Sequence, residues 1–520
     1  MSARWLPQAV FYQIHPQTFC DGNGDGVGDL AGIASKLDAL AELGVNAIGI
    51  DPIYPSPFRD AGCDVADHCA IDPRYGAEPD FDRLLAGAHE RGIRVCLTLV
   101  PDRTSDRHRA FVESARAERN ASSDRYIWRD GSSTERDGAL AFALCDGARV
   151  GAFACDELPH RPLLNYGFAA PTAPHRHAVD APGPVANRTA LKETLAFWLD
   201  RGVDGFRIER AATLVKGDPD KIANRMLWRD VVDWVRGRFD DRALIADWGN
   251  PQLAIDAGFD ADVLASEHTV AGDLVLGPSS VPARDRQPYF DADGRGDFAS
   301  FRDAFEFHAA RVAGSGFIGL ASGSRDTSRP SLGRDGDDLA VLFTFLLTWP
   351  VVPFIYYGDE IGMRFLRGLP SIEGGYERSG ARTPMQWDGS RNAGFTAAAQ
   401  ARAALDPARD RPNVASQRAD KSSLWHHVER LVYLRVTEAD LAASARLRVL
   451  SDAPTGYPLV YQRGENLVVA INPGRASHRL RLAAVGDLAT VLGQRCEPHH
   501  DAEGWWLRIG PGGYGVFSAR

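Results

Sequence analysis

The 520-residue sequence contains no apolar segment typical of a membrane span. Its most apolar stretch, residues 339–357, is interrupted by two prolines and favours a buried helix followed by a buried strand. The N-terminus, MSARWLPQAVFYQIHPQTF, lacks a long apolar run behind a basic end, so we expect neither a signal peptide nor an anchor. No membrane partner is expected.

Cysteines are few and basic tracts are absent. The seven cysteines are scattered and odd in number, with no CxxC pattern and no His/Cys set that suggests zinc. This usage indicates free thiols in a reducing cytoplasm. The net charge of −10 argues against nucleic acid or an anionic membrane as the main partner.

What the sequence does contain is a repeated alternation of strand and helix patterns. Hydrophobic residues make up 44% of the chain, enough for a sizeable core. Short apolar runs rich in β-branched residues alternate with helical patterns such as residues 29–44 and 189–202, which predicts a (β/α)8 TIM barrel. The eight predicted strands are residues 9–15, 46–52, 94–100, 205–209, 243–247, 261–266, 316–322 and 352–358.

Two regions depart from this alternation. An excursion after the third strand, rich in Arg, Asp, Gly and Pro, is too long for a simple loop and predicts an inserted subdomain. Near the C-terminus, short alternating strands predict an antiparallel β-domain of sandwich type. The predicted division is a barrel over 1–100 and 186–435, an insert over 101–185 and a C-terminal domain over 436–520.

Several motifs at the predicted strand ends resemble those of glycoside hydrolase family 13, the α-amylase superfamily. The similar segments are AVFYQIHPQTFCDGNGDGVGDLAGI, GCDVADHCAIDPRYG, GVDGFRIE, YYGDEIGM and RTPMQWDGSRNAGF, and the last two resemble the α-glucosidase and oligo-1,6-glucosidase branch. The resemblance covers essentially the whole chain. It implies a barrel with its site at the carboxyl ends of the strands and a small-molecule carbohydrate as substrate.

The resemblance also implies a retaining mechanism, in which one carboxylate attacks the anomeric carbon and another protonates the leaving oxygen. Glu209 takes the position of the nucleophile, Asp247 that of the acid/base, and Asp326 that of a third carboxylate. Arg207 matches the arginine that accompanies the nucleophile. Asp64 and Arg329 match sugar-binding positions.

The site also departs from the family pattern. Aspartate and glutamate are exchanged reciprocally at 209 and 247, which moves each carboxylate by about one bond length, and a shift near 1 Å can cost about a hundredfold in rate. The pair could compensate if the sugar sits displaced toward strand five, or the exchange could reflect relaxed selection. Cys63 replaces the stacking aromatic residue, and Arg161 replaces a glutamine.

Two histidines of the family pattern are replaced by Arg103 and Arg325. With Arg207 and Arg329 they would make the pocket rich in arginine, which suits an anionic sugar such as a phosphate or a uronate. The other interpretation is that these arginines pair with nearby carboxylates and fill the old pocket.

The loop DGNGDGVGD offers oxygen ligands at alternate positions, from Asp21, Asn23, Asp25, the carbonyl of Val27 and Asp29. This pattern suits a structural Ca²⁺ or Mg²⁺, although Gly32 stands where an EF-hand has its last glutamate. A Gly/Asp turn without metal is the alternative. No organic cofactor is expected.

The sequence therefore predicts a glycosidase or transglycosylase that acts on an α-glucoside through Glu209 and Asp247. Two alternatives stay open. One is a barrel with different chemistry on an anionic or unusual sugar-like substrate, and the other is an inactive protein that binds a sugar or a partner.

Overall fold

The computed structural model describes residues 3–156, 158–264, 288–290, 296, 298–451, 456–483 and 485–519. The described strands, in chain order, are β1 Phe11–Ile14, β2 Ala47–Ile50, β3 Arg94–Leu99, β4 Trp128–Arg129, β5 Ala141–Leu144, β6 Ala152–Asp156, β7 Leu158–Pro162, β8 Gly205–Ile208, β9 Ala243–Ala246, β10 Ala261–Leu264, β11 Phe317–Ala321, β12 Val352–Tyr356, β13 Leu447–Val449, β14 Leu459–Arg463, β15 Leu467–Asn472, β16 His478–Arg481, β17 Leu488–Asp501 and β18 Gly504–Ala519.

Eight parallel strands close into a barrel in the order β1-β12-β11-β10-β9-β8-β3-β2. These are the eight strands that the sequence predicts, so the TIM-barrel prediction is confirmed. Residues 265 and 266 of the sixth predicted strand lie outside the described residues. Nearly every barrel-strand residue is buried, because helices cover the outside and side chains fill the inside.

The helices follow the amphipathic patterns of the sequence. The described α-helices are α1 Pro16–Phe19, α2 Leu30–Ser35, α3 Leu37–Leu43, α4 Glu78–Glu90, α5 Arg109–Ser114, α6 Pro182–Asp200, α7 Ile222–Arg236, α8 Pro251–Asp256, α9 Ala299–Val312, α10 Gly336–Thr348, α11 Val414–Ala419 and α12 Leu424–Thr437. Short 3-10 helices span Leu6–Gln8, Pro73–Tyr75, Ala211–Thr213, Asp359–Ile361, Tyr376–Ala381 and Ala439–Leu441.

Two helix predictions differ from the structure in detail. The predicted helix 29–44 is interrupted at Lys36, which ends α2 and precedes α3. The predicted helix 189–202 starts earlier, at Pro182, because a proline is well tolerated in the first turn of a helix. No helix among the described residues is long and apolar enough to cross a membrane.

Two smaller sheets accompany the barrel. Strands β4 to β7 form an antiparallel sheet, which lies within the predicted insert and follows β3 and precedes α6 in the sequence. Strands β13 to β18 form an antiparallel sheet at the C-terminus, with β17 and β18 as a long hairpin. The second of these confirms the predicted C-terminal β-region.

The barrel packs tightly enough to fix the direction of individual side chains at its carboxyl end. A Cβ atom at Gly49 of β2 would lie 2.3 Å from Oε1 of Gln13 on β1, so a larger residue there would displace the Gln13 amide. Gln13 is thereby free to donate its Nε2 hydrogen to Oδ1 of Asp51, at 2.8 Å. Asp51 follows β2 directly and enters the cavity described below.

Candidate functional site

A cavity of about 880 Å³ lies at the carboxyl ends of the barrel strands. One part of its wall comes from residues that follow the barrel strands, and another part comes from the inserted sheet. Among the residues that line it are Asp51, Arg103, Asp156, Arg161, Arg207, Glu209, Arg210, Lys216, Asp247, Arg325, Asp326 and Arg378. Its size suits a ligand of the order of a disaccharide.

Glu209 follows the last residue of β8. Its N–H donates to the carbonyl of Leu99 on the neighbouring strand β3, at 2.9 Å, which fixes where the side chain emerges. Oε1 of Glu209 accepts a hydrogen bond from Nη2 of Arg325. Burial raises the pKa of Glu209 above its ordinary value, and the positive charge of Arg325 opposes this rise.

Asp247 occupies the equivalent place after β9, the next strand of the barrel. Its N–H donates to the carbonyl of Ile208 at 2.9 Å, and its Oδ2 accepts from Nη2 of Arg207, also at 2.9 Å. Burial acts to lower the pKa of Arg207, but the neighbouring carboxylates, Asp247 first, outweigh it and raise that pKa. Arg207 therefore remains a cation and is the charged partner of Asp247.

Arg325 connects the carboxylates of this part of the cavity. Nη1 lies 2.8 Å from Oδ1 of Asp51, Nη2 contacts Glu209, and Nε lies 3.5 Å from Oδ2 of Asp326. Nη2 also donates to Sγ of Cys63 at 3.2 Å. The arginine thus stands between three acidic groups, in the space beside the residue that the resemblance assigns as the nucleophile.

Asp326 is held by two further arginines. Its Oδ1 accepts from Nη1 of Arg378 at 2.8 Å and from Nη2 of Arg382 at 2.6 Å. Burial acts to raise the pKa of Asp326, but Arg325, Arg382 and Arg378 outweigh it and hold the pKa well below the ordinary range of an aspartate. Asp326 is therefore ionised throughout the neutral range.

Asp64 and Arg329 have other contacts. Both are fully buried and are absent from the described cavity wall. Asp64 accepts hydrogen bonds from the hydroxyl of Ser56 and from the N–H groups of Arg59 and Asp60, at 2.8 to 3.1 Å. Arg329 pairs with Asp359 at 2.7 Å and donates to the carbonyls of Tyr357 and Ala381. Their assignment as sugar-binding residues stays a prediction.

The wall nearest the inserted sheet is rich in cations. Nε of Arg103 donates to Asp102 at 3.0 Å, and its Nη1 donates to Asp156 on β6. Arg161 and Arg210 also reach the carboxylate of Asp156, at 3.3 and 3.4 Å. One carboxylate of the insert thus receives three guanidinium groups.

A buried acid, Asp262 on β10, lies beneath the residues that follow Asp247. Its Oδ1 accepts from the N–H groups of Trp248 at 2.8 Å and Gly249 at 3.3 Å. Burial raises the pKa of Asp262 to about 8, with a smaller contribution in the same direction from Asp247. Asp262 supports the turn that carries Asp247.

In the predicted metal loop, backbone N–H groups donate to the carboxylates of the same loop. Asp21 accepts from the N–H groups of Asn23, Gly24 and Gly26, at 3.1, 2.6 and 2.7 Å. Asp29 caps α2 through the N–H of Gly32 at 2.6 Å. Within the described parts of the chain, no group of three or more His, Cys, Asp or Glu side chains is arranged to hold a metal ion.

The site region also contains residues that the sequence motifs do not predict, namely Asp51, Asp262, Asp156, Arg210 and Lys216. Asp51 could have been found, because it follows a predicted strand at the end where barrel sites form. Asp156 has no such signal, since its place depends on how the insert folds back over the barrel.

Comparison with known proteins gives the family. The family model described as "Alpha amylase, catalytic domain" matches residues 13–233 and 294–444. The trehalose synthase/amylase TreS of Mycolicibacterium smegmatis is 31% identical over 475 residues, covering 83% of this chain and 76% of that relative. The oligo-1,6-glucosidase of Parageobacillus thermoglucosidasius is 29% identical over 548 residues, covering 91% of each chain.

A solved structure has the same fold as this chain over its full length. The trehalulose synthase MutB from Pseudomonas mesoacidophila MX-45 superposes with a TM-score of 0.82 at 25% identity, covering 100% of both chains. A variant of MutB has been solved with its substrate sucrose. By the match of its sequence to the catalytic-domain model over most of its length, this chain belongs to the alpha-amylase family.

Proposed function

We propose that this protein catalyses retaining glycosyl hydrolysis or transfer on an α-glucoside, with Glu209 as the nucleophile and Asp247 as the acid/base. The observation that carries the proposal is the placement of these two carboxylates. They follow adjacent strands of the barrel, β8 and β9, and both line the same cavity. The names of the relatives, among them a trehalose synthase and an oligo-1,6-glucosidase, support α-glucosides as the substrate class.

The two carboxylates have different partners, as their different roles require. A retaining mechanism needs the nucleophile and the acid/base about 5–5.5 Å apart, so that the first reaches carbon directly. In the proposed exchange the longer side chain reaches from β8 and the shorter one from β9. Arg207 holds Asp247, and Arg325 holds Glu209. The substrate would then sit closer to β9 than in the usual arrangement.

A substitution at Glu209 tests the proposal. Glu209→Gln keeps the size of the side chain but removes the nucleophilic charge, so we expect release of sugar from α-glucosides, including an activated aryl glucoside, to disappear. Glu306→Gln, at an exposed position of α9, is the matched control and should retain full activity. Unchanged turnover in the Glu209 variant would remove the nucleophile assignment.

A second candidate function is sugar binding without catalysis. The specific observation in its favour is Arg325, whose guanidinium contacts Asp51, Glu209 and Asp326 together. A nucleophile that stays paired in this way does not attack. If the native protein releases no sugar from any donor but binds α-glucosides in calorimetry, this second function replaces the first.

We further propose a structural Ca²⁺ in the loop 21–29, with Mg²⁺ as the alternative. The chemistry of the donors fits a hard cation, because Asp21, Asn23, Asp25, the carbonyl of Val27 and Asp29 offer oxygen alone. Asp25 accepts one hydrogen bond, from the N–H of Val27, and keeps lone pairs for an ion, since a carboxylate has about four. Asp21 and Asp29 each accept four hydrogen bonds, so an ion bound there would replace some of them. The ion would stabilise the loop and would take no part in the reaction.

Carboxylate catalysis of this kind needs no organic cofactor. Seven free cysteines support a reducing, cytoplasmic location. The division into a barrel over 1–100 and 186–435, an insert over 101–185 and a C-terminal domain over 436–520 is proposed on the strand pairing.

A further inference from the structure

The charges in the cavity wall divide unevenly between two regions. In the strand-end region, four carboxylates, Asp51, Glu209, Asp247 and Asp326, are accompanied by three arginines of the wall, Arg207, Arg325 and Arg378, and by Arg382, which lies behind the wall and pairs with Asp326. This region is neutral as a whole. It offers no surplus charge to an ionic ligand.

The region beside the inserted sheet, which we call the insert region, has a surplus of positive charge. Its members are Arg103, Arg161, Arg210 and Lys216, with the carboxylates Asp60, Asp102 and Asp156. Four cations therefore accompany three anions, of which Asp102 lies behind the wall. Lys221 and Asp218 also line the cavity and leave this difference unchanged, since their charges are opposite. Arg136 also lines the cavity and donates to the carbonyl of Ala139, at 3.2 Å, so it adds to the surplus.

Lys216 is the residue that this arrangement leaves without an anion. Its Nζ donates to the carbonyl of Thr213 at 2.5 Å, and no carboxylate of the described chain lies within ion-pair distance of it. Burial, together with Arg210 and Arg103, lowers the pKa of Lys216 to about 8 against the opposing charge of Asp102. A half-buried ammonium with two spare donors is stabilised by an oxyanion that enters the cavity.

The insert region adjoins the carboxylates of the proposed reaction. Arg210 follows Glu209 in the chain, and the charge of Glu209 contributes to raising the pKa of Arg103. The backbone of Arg210 has a positive φ of 51°, a conformation that residues other than glycine seldom adopt. That conformation places its side chain beside Asp102 and Asp156, at the wall of the cavity.

We propose that the insert region is an oxyanion subsite, which takes a phosphate or a carboxylate carried by the sugar ligand. The substrate class is then an anionic α-glucoside. Arginine side chains bind such groups with paired N–H donors, and Lys216 adds a point charge. This inference rests on the proposed glycosyl-transfer function of the same cavity.

Binding measurements on the full-length protein test the subsite without turnover. Calorimetry would compare glucose 6-phosphate, glucuronate, inorganic phosphate and neutral methyl α-glucoside. We expect at least one anionic sugar to bind about tenfold or more tightly than the neutral one, with an advantage that shrinks as salt rises. Comparing the two anionic sugars identifies phosphate or carboxylate as the preferred group.

Two substitutions locate the effect. Lys216→Met and Arg210→Gln should each lower the affinity for the anionic sugar about tenfold while leaving that for methyl α-glucoside unchanged. Arg225→Gln, on α7, removes the same charge outside the cavity and should change neither affinity. Equal affinity of the native protein for neutral and anionic sugars would overturn the subsite. A loss of both affinities in the two cavity variants would also overturn it, because that pattern indicates a purely structural role.

The Glu209→Gln variant separates this inference from the proposed function. If the native protein releases neutral sugars without any preference for anionic ones, the function stands and the subsite fails. If the anionic preference is present in both native protein and Glu209→Gln but no donor is cleaved, the subsite stands as a binding site and the catalytic proposal fails.

Discussion

At the scale of single residues, Asp262 has a pH dependence that the structure determines. Its pKa is about 8 in the folded chain, because it is buried, whereas an exposed aspartate titrates near pH 4. Between these two values the folded state binds a proton that the unfolded state has released. Stability therefore falls as pH rises through that window, at a limit of about 1.4 kcal/mol per pH unit, and this loss ends above pH 8.

Replacing Asp262 by asparagine should remove this slope. The amide oxygen can still accept from the N–H groups of Trp248 and Gly249, and the amide does not titrate. We expect the melting temperature of Asp262→Asn, measured relative to that of the native protein, to rise steadily from pH 5 to pH 8. Asp303→Asn, at an exposed position, should show no such trend. A difference between Asp262→Asn and native protein that stays constant with pH would contradict the buried-acid interpretation.

Residue by residue, the pairing at the site shows why its chemistry is hard to infer from sequence. The motif GFRIE places Arg207 and Glu209 two positions apart, which suggests that they pair. In the structure Arg207 instead pairs with Asp247 of the next strand, and Glu209 receives Arg325 from a loop more than a hundred residues away. Side chains two positions apart on a strand share a face of the sheet. The charged end of a long side chain can nevertheless lie closer to a side chain of the neighbouring strand than to the residue two positions away.

At the scale of elements, helix α10 shows how the barrel and the C-terminal sheet are joined. Its N-terminus has a capping box formed by Asp335 and Asp338, which satisfies the N–H groups there. At its other end, Arg463 of β14 donates to the carbonyls of Thr348 and Ala442. Arg435 of α12 donates to the carbonyls of Trp349 and Val351. Both arginines are fully buried and contact carbonyl oxygens rather than carboxylates.

Because Thr348 and Ala442 are buried, Arg463 should be costly to replace. Burial lowers the pKa of Arg463 to about 10, so it remains a cation at neutral pH. Arg463→Met leaves the buried carbonyl of Thr348 without a donor, at about 1–3 kcal/mol, whereas the carbonyl of Ala442 still accepts from the N–H of Ala445. The melting temperature should therefore fall by about 1–3 °C for a chain of this length. The melting temperature of Arg463→Lys should lie between those of the native protein and Arg463→Met, since lysine restores a charged donor.

Arg475→Met serves as the control for this series, because Arg475 is an exposed position of the same C-terminal region. It should melt with the native protein. If Arg463→Met also melts at the native temperature, the arginine does not hold the end of α10, and other contacts join the two parts of the molecule. These contacts include the hydrogen bond between the hydroxyls of Thr348 and Tyr461 at 2.5 Å, and the ring of Tyr461 against Trp349, at 5.0 Å between centroids.

For the whole molecule, the barrel could be predicted because its signal is local and repeated. Each barrel strand is a short, mostly apolar run, and the observed ends fall within one or two residues of the predicted ones wherever the chain is described. The site was predictable where it follows those strands, as at Glu209 and Asp247. It was not predictable at Asp156 or Lys216, because their proximity to the site results from how the insert and the loop after β8 fold over the barrel, which no local pattern encodes.

The proposed calcium ion would act on the stability of the whole chain, since binding to the folded state alone adds stability by mass action. At a free Ca²⁺ concentration of about one hundred times Kd, the gain is about 2.7 kcal/mol, or about 2 °C in melting temperature for a chain of this length. The loop is tied to the rest of the molecule, because Thr396 donates to Asp21 at 2.5 Å and the N–H of Asp21 donates to the carbonyl of Phe395. Order gained in the loop therefore extends to that segment.

Thermal melting after removal of metal by EDTA, followed by addition of Ca²⁺ or Mg²⁺, measures this effect. Asp25→Ala should abolish the shift, because Asp25 is exposed and supplies one of the proposed ligands. Asp67→Ala is a close control, since the Oδ1 of Asp67 accepts an N–H two residues on, at 2.8 Å, as that of Asp25 does. It should keep the full shift. If neither ion changes the melting temperature of the native protein, the loop is a turn held by its own N–H groups and binds no metal. If Asp25→Ala shows the same shift as the native protein, the ion binds elsewhere in the chain.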